Sequence, residues 1–154
     1  MKEYSIVELE IVKLCGELEE GAQHIVIDCS ILVGCLDAFI NILRRLRSDI
    51  ISKDEIAFGL AGSDVQELDS KDKLRNFITF IIRAVVLKNR HINYGSVHNV
   101  IHALKSKIHY KIVEVLKSTH IIYKYKFSVN YFVDRFLIDS ILGQMENGIL
   151  NINI

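Results

Sequence analysis

A short corner at residues 91–96 separates two apolar helical patterns and limits how this chain can fold. The apolar run 77–87 leads into the corner, and a second helical pattern leaves it. Gly95 suits a sharp turn because glycine has no Cβ to clash at positive φ. Ser96 suits a helix N-cap because its hydroxyl can accept a hydrogen bond from a free backbone N–H. The sequence therefore predicts a helix–turn–helix corner with Tyr94 at its tip, and the simplest interpretation is an ordinary connection between two core helices.

Size and charge restrict the class of protein. The chain has 154 residues, which suits one domain with a single core. Half of the residues are hydrophobic and a quarter are charged, as is typical of a globular domain. Nineteen basic residues balance nineteen acidic ones, so the sequence predicts no binding of nucleic acid. Three cysteines without a CxxC motif indicate reduced, buried thiols in a cytosolic protein.

Two segments are strongly apolar, yet neither has the pattern of a membrane-spanning helix. Residues 25–43 include Asp37, and the short run 77–87 includes Arg83, whereas a span needs about 20 nearly uncharged apolar residues. No secretory signal is visible at the N-terminus. We therefore expect a single domain over residues 1–154, without a membrane anchor or stable membrane insertion, in the cytoplasm.

Helical spacing and capping residues predict an all-α protein of about seven helices and no sheet. The first half of the chain is predicted to contain an amphipathic helix ending near Gly21, a helix at 29–47 (with a strand at 24–28 as an alternative), and a helix at 53–60 that follows the capping box of Ser52 and Glu55. A capped turn at 63–67 and a helix at 71–89, capped by Ser70, come next. The last two predicted helices run from Val97 to about Lys117 and from Val129, capped by Ser128, to about Glu146, where Asn147 and Gly148 end the helix.

The helix after the corner is expected to bury one apolar face. That face carries Val97, Val100, Ile101, Leu104, Ile108, Ile112 and Val115. We expect the helix to bend or break, because Ser106, Ser118 and Thr119 weaken it. Residues 121–127 alternate like a strand, but without a visible partner strand we interpret them as a helix end and a connection.

The corner resembles the first homology motif of the Bcl-2 family of apoptosis regulators, which reads Asn-Trp-Gly-Arg and opens the central helix of that fold. Asn93-Tyr94-Gly95-Ser96 has Tyr in place of Trp and Ser in place of Arg. Upstream, Leu32, Asp37 and Phe39 have the spacing of the family's third homology (BH-3) segment. Residues 131–137 faintly resemble the second homology motif.

The resemblance implies a Bcl-2-like bundle around a central helical hairpin. The chain lacks proline and is rich in Ile, Asn, Lys and Tyr, and so is similar to divergent homologues from large DNA viruses. The resemblance implies a protein that is not an enzyme. It further implies an inhibitor of apoptosis that holds the amphipathic BH-3 helix of a pro-apoptotic host protein in an apolar surface groove, and it would allow such partners to recruit the cytoplasmic protein to mitochondria.

The resemblance also implies which residues line the ligand groove. One wall would consist of Phe39, Leu43 and Leu46, the other of Arg83 and Leu87, and the floor of Asn93, Tyr94, Gly95, Ser96 and Asn99. Because Ser96 replaces the motif Arg that pairs with the ligand's Asp, we expect a narrow ligand range, with Arg83 favoured over Arg90 as a substitute. An exposed apolar groove also favours a homodimer.

Two other functions stay open. One is a binding module of the same fold that blocks innate immune signalling, and the other is a helical ribonuclease toxin or antitoxin. The sequence shows no phosphate loop or nucleophile elbow, and we expect no catalytic residue and no cofactor. His98, His102 and His109 share one side of a helix, but we interpret them as solvent-exposed residues beside the core and not as metal ligands.

Overall fold

The computed structural model describes residues 28–60, 67–90 and 95–154 of the chain, and within them the protein is mostly helical. Its elements are α1 (Ser30–Ala38), α2 (Ile40–Leu46), α3 (Lys53–Phe58), α4 (Ser70–Lys88), α5 (Val97–Lys126), α6 (Val129–Phe136), a 3-10 turn (Ile138–Ser140), and the strands β1 (Gly143–Glu146) and β2 (Ile149–Ile152). The predicted helical class is confirmed, but the prediction of no sheet is wrong. The predicted first helix, the strand alternative and the turn at 63–67 lie largely or wholly outside the described residues.

The core forms where α1 packs on both α4 and α5, which also pack on each other. Helix α5 contributes a stripe of buried side chains spaced four residues apart. The stripe consists of Val100, Leu104, Ile108, Ile112 and Leu116. Four of them lie on the predicted apolar face, but Leu116 was not predicted, and Val97, which was predicted for that face, is 41% exposed. Helix α1 approaches α5 closely at Gly34, where a Cβ would collide with the Ile101 side chain. Among the described residues, no helix is long and apolar enough to span a membrane.

Side-chain caps set the helix starts at the positions where the sequence indicated them. The hydroxyls of Ser52, Ser96 and Ser128 each accept a hydrogen bond from a backbone N–H of the first turn that follows. Helix α4 differs from the prediction, because its cap is Asp69 and Ser70 is its first residue. A carboxylate cap there makes a charge-assisted bond of 2.8 Å and also interacts favourably with the positive end of the helix dipole.

Helices α1, α2 and α5 also differ from the predictions. The helix predicted over 29–47 is divided into α1 and α2 at Phe39, whose φ of −110° and ψ of 11° are not helical. Helix α5 runs without a break to Lys126, so the predicted break near residues 106–119 is wrong, and residues 121–126 are the last turns of this helix and not a connection. Tertiary packing explains the longer helix, since Tyr123 of its last turns packs against aromatic side chains of α6.

The last helix is shorter than predicted because residues after α6 form a β-hairpin. Strands β1 and β2 pair antiparallel around Asn147 and Gly148, both of which have positive φ, 51° and 76°. Positive φ at both central residues defines a type I′ turn, for which Asn-Gly is a strong signal. Gly143 begins the hairpin, and a Cβ there would collide with the backbone of Asn151 on the partner strand.

A completely buried arginine joins three parts of the fold. Arg75 of α4 donates to Glu55 of α3 through Nε, 2.6 Å from Oε1, and through Nη2, 2.9 Å from Oε2. Its Nη1 also donates to the carbonyl oxygen of Arg47 at 2.7 Å and to the Asp49 carboxylate at 3.0 Å. Every side-chain nitrogen of Arg75 is therefore satisfied, which is the condition under which a charge can be buried.

The buried thiol of Cys35 is predicted to resist alkylation in the native state. Burial raises its pKa from 9.0 to about 12, with the nearby Cys29 as a smaller cause. Since only the thiolate reacts with iodoacetamide, peptide mapping should find Cys35 unmodified at mildly alkaline pH and modified in denaturant. Because the Cys35 thiol ionises less readily in the folded protein than in the unfolded chain, its contribution to the free energy of unfolding is fully present below pH 9. That contribution is lost as the pH rises toward 12. Native alkylation as fast as that in denaturant would contradict the prediction.

Candidate functional site

The apolar residues predicted for one groove wall lie in or beside the core. Leu43 and Leu46 are buried and so do not face a ligand in this conformation. Phe39 is also buried, yet it borders an open groove between α2 and α5. Leu87, predicted for the opposite wall, is half-buried on α4.

Arg83, the predicted partner of a ligand carboxylate, binds the C-terminal end of α3. Its Nη1 donates to the carbonyl oxygens of Ile56, at 2.9 Å, and Ala57. The guanidinium carbon lies 4.9 Å from the centre of the Phe80 ring, a cation–π distance. These bonds satisfy free carbonyls at a helix end, so Arg83 has a structural role in this conformation.

The described part of the corner has the predicted turn geometry. Gly95 has a φ of 83° and is exposed, and the Ser96 hydroxyl accepts from the backbone N–H of Asn99 at 3.3 Å. Asn93 and Tyr94 lie outside the described residues. The Ser96 hydroxyl already accepts one hydrogen bond as the helix cap. Only its O–H donor and one lone pair therefore remain for a ligand.

A groove of about 580 Å³ lies between α2 and α5, and we call it the α2–α5 groove. One side is formed mainly by Ala38, Phe39, Asn41 and Ile42, and the other by His102, Lys105, Ser106 and His109. One side is thus largely apolar and the other is polar with one fixed positive charge. Lys105 is exposed, and it forms no ion pair with another residue of the described ranges.

The segment after β2 also contributes to the lining of the α2–α5 groove. Ile154, after β2, lines this groove and is half-buried against the core. His109 Nε2 lies 3.0 Å from the carbonyl oxygen of Ile154, within hydrogen-bond distance. Ile154 therefore adds apolar surface to the lining of the groove, and its backbone carbonyl meets α5 at His109.

A second groove, of about 750 Å³, lies between α4 and α5. Its apolar part comes from α4, and it contains Lys88, Lys107 and Lys111. Two of these lysines already have partners: Lys107 donates to Asn89 at 2.6 Å, and Lys111 to Glu114 at 2.9 Å. Although larger, this groove contains none of the residues that the sequence predicted for the ligand groove.

Three histidines in the first half of α5 point to the surface, as the sequence interpretation had them. His98, His102 and His109 are all exposed. In the described ranges, no three His, Cys, Asp or Glu side chains are close enough together to hold a metal ion.

Sequence reasoning did not identify Lys105 or Ile42 as groove residues. Lys105 was visible in principle, because it lies three residues after His102 and four before His109 and so shares their side of the helix. Ile42 borders the groove because the chain leaves helical geometry at Phe39. The sequence predicted one uninterrupted helix there, so this break was not expected.

Comparison with protein families, with curated proteins and with solved structures finds no match to this chain. A functional interpretation therefore rests on the motifs in the sequence and on the geometry of the α2–α5 groove.

Proposed function

We propose that this chain is a non-enzymatic inhibitor of apoptosis with a Bcl-2-like fold, and that it binds the amphipathic BH-3 helix of a pro-apoptotic partner in the α2–α5 groove. The resemblance supports this at two elements. The segment similar to the third homology motif begins in α1 and ends at Phe39, and the Asn-Tyr-Gly-Ser corner directly precedes the long helix α5. Both motifs therefore stand beside the helices that border the groove.

The observation that carries the proposal is the division of the groove into an apolar side and a cationic side. A BH-3 helix presents apolar anchors at i, i+3 or i+4, and i+7, together with one Asp. Ala38, Phe39 and Ile42 supply apolar contact, and Lys105 supplies a cation opposite them. The volume of the groove lies within the range of roughly 300–1,000 Å³ common for ligand sites.

Lys105, rather than Arg83, is the proposed partner of the ligand's Asp. Arg83 is already bonded to the end of α3, whereas Lys105 is exposed at the groove. An ammonium group gives a point charge and not the bidentate pairing of a guanidinium. The contact common to all BH-3 ligands is therefore weaker than in the family pattern, which supports a narrow ligand range set by the apolar anchors.

We predict that Lys105→Glu weakens binding of a BH-3 peptide by tenfold or more. Like charges placed opposite each other at an interface cost several kcal/mol of binding free energy. The measurement is calorimetric titration of the full chain against a panel of BH-3 peptides. Each peptide is repeated with its Asp replaced by Ala, so that a double-mutant cycle isolates the coupling between Lys105 and that Asp.

Lys88→Glu is the matched control, because it reverses an exposed lysine in the other groove. We expect it to leave the affinity nearly unchanged. A loss with Lys88→Glu instead would move the site to the α4–α5 groove. Failure of every peptide to bind would refute the proposed function, and hydrolysis of bulk RNA by the purified chain would favour the nuclease interpretation.

A further inference from the structure

The end of helix α5 carries large apolar side chains that no described element covers. Ile121, Ile122 and Tyr125 are 56%, 49% and 78% exposed. At about 100° per residue these three side chains occupy a sector roughly 100° wide on one side of the helix. A cluster of this kind differs from isolated exposed apolar residues, which need no explanation.

Lysines border this apolar sector on both edges. By the same helical geometry, Lys117 and Lys124 lie on one edge and Lys126 on the other. The ammonium of Lys124 is 5.9 Å from the centre of the Tyr125 ring. Residues 115–133 contain no Asp or Glu, so no acidic side chain from the surrounding sequence offsets the positive charge. We call this surface the α5 terminal face: Lys117, Ile121, Ile122, Lys124, Tyr125 and Lys126.

The α5 terminal face is a folded surface and not a frayed helix end. On the other side of the helix, the Tyr123 ring centre lies 6.1 Å from that of Phe132 and 6.2 Å from that of Phe136, both in α6. The Tyr123 hydroxyl also accepts from Arg135 at 3.1 Å. These contacts hold the last turns of α5 in place, so the helix backbone under Ile121, Ile122 and Tyr125 is already ordered before binding.

We propose that the α5 terminal face is a peripheral docking surface for an anionic lipid membrane. Apolar and aromatic side chains at the centre enter the boundary between headgroups and acyl chains, and flanking lysines extend toward anionic headgroups. Each lysine near an anionic leaflet increases the binding affinity roughly fivefold. Three lysines together therefore give a preference for anionic over neutral membranes on the order of a hundredfold.

Two other occupants fit the surface less well. A second copy of the chain would bring the same three lysines against each other and no carboxylate to pair with them, which opposes a symmetric contact. An acidic amphipathic helix is best held in a groove, whereas both grooves bordering α5 described above end before Lys117. The inference uses no residue of the α2–α5 groove and stands independently of the proposed function.

The first test is sedimentation of the full chain with vesicles. We expect binding to vesicles of phosphatidylcholine containing about a third phosphatidylserine, weak binding to phosphatidylcholine alone, and a decrease with added salt. The variant Lys117→Gln/Lys124→Gln/Lys126→Gln should lose most of the preference for anionic vesicles. The control Arg44→Gln/Arg45→Gln/Lys73→Gln removes three exposed cations elsewhere and should lose far less.

The second test places a fluorophore in the surface. The chain has no tryptophan, so Tyr125→Trp provides a single indole reporter. Phe58→Trp is the matched control, because Phe58 on α3 is 80% exposed, nearly the same as Tyr125. We expect anionic vesicles to shift the emission of Tyr125→Trp to the blue and to protect it from acrylamide, with no change for Phe58→Trp.

Three results would overturn the proposal. One is the absence of binding to anionic vesicles at low salt by a chain whose circular dichroism shows it to be folded. Another is an equal loss in the two triple variants, which would indicate attraction by net charge alone. The third is a blue shift of Tyr125→Trp caused by an acidic amphipathic peptide of Leu and Glu but not by vesicles, which would identify a protein partner instead.

Discussion

Replacing Arg75 with alanine is expected to destabilise the protein by about 3–5 kcal/mol, as is typical when one partner of a buried ion pair is removed. The Arg75 side chain is completely buried, and its Glu55 partner is nearly so. In the variant the Glu55 carboxylate would remain away from water without its two charge-assisted bonds. That uncompensated charge, more than the lost attraction, accounts for the size of the effect.

The substitution should also loosen the connection between α2 and α3. Arg75 Nη1 donates to the carbonyl oxygen of Arg47 and to the Asp49 carboxylate, so one side chain ties α4 to the chain that follows α2. Hydrogen exchange should therefore show faster opening around residues 47–58 in Arg75→Ala than in the parent chain.

Urea unfolding measures the stability change, and Arg47→Ala is its control. Arg47 pairs with Asp49 and Asp72, but its side chain is 43% exposed, and exposed pairs contribute about 0–1 kcal/mol. The double variant Arg75→Met/Glu55→Leu should recover much of the loss, because it removes both charges together. A cost for Arg75→Ala no larger than that for Arg47→Ala would show that Glu55 is not left buried and unpaired.

Local chemistry made several helix starts predictable from sequence. A cap at Ser52, Ser96 or Ser128 uses a hydroxyl and a backbone N–H two or three residues away, so both partners stand in one short stretch. Gly95 was predictable for the same reason, since its positive φ depends on its lack of a Cβ.

The hairpin at the end of the described chain was missed because its signal has two meanings. Asn147-Gly148 can end a helix or form a type I′ turn, since both need residues that tolerate positive φ. The apolar pattern before it suggested a helix. The alternation of apolar and polar residues after it, from Leu150 through Asn151, Ile152 and Asn153 to Ile154, was the evidence for a strand.

Contacts between distant segments could not be predicted from sequence. Arg75 and Glu55 are twenty residues apart, and Arg83 lies 27 residues from Ile56, whose carbonyl it binds. Only the packing of α3 against α4 brings these groups together. For the same reason the sequence placed Arg83 beside a ligand, whereas the groove between α2 and α5 presents Lys105.

Replacing Phe132 with alanine is expected to cost about 3–5 kcal/mol, as for other buried aromatic residues. Phe132 of α6 is completely buried. Its ring centre lies 5.3 Å from that of Phe136 and 5.2 Å from that of His120 on α5. Aromatic pairs at such distances add about 0.5–1.5 kcal/mol each beyond the burial of their area, so the loss should lie toward the upper end of the range.

The same substitution should alter the α5 terminal face, because that face depends on the aromatic contacts behind it. Without the Phe132 ring, Tyr123 loses one of its two aromatic partners in α6. We expect faster hydrogen exchange over residues 120–126 and weaker binding to anionic vesicles, although no lysine has been changed.

Tyr131→Ala is the control for Phe132→Ala, since it removes a neighbouring aromatic ring that is 63% exposed. A surface substitution of this kind should change the free energy of unfolding by no more than about 0.5 kcal/mol. Phe132→Leu should fall between the two, because it keeps an apolar side chain in the cavity but loses the ring contacts. If Phe132→Ala were to destabilise α6 while exchange over residues 120–126 stayed slow, the last turns of α5 would be held by contacts other than this cluster.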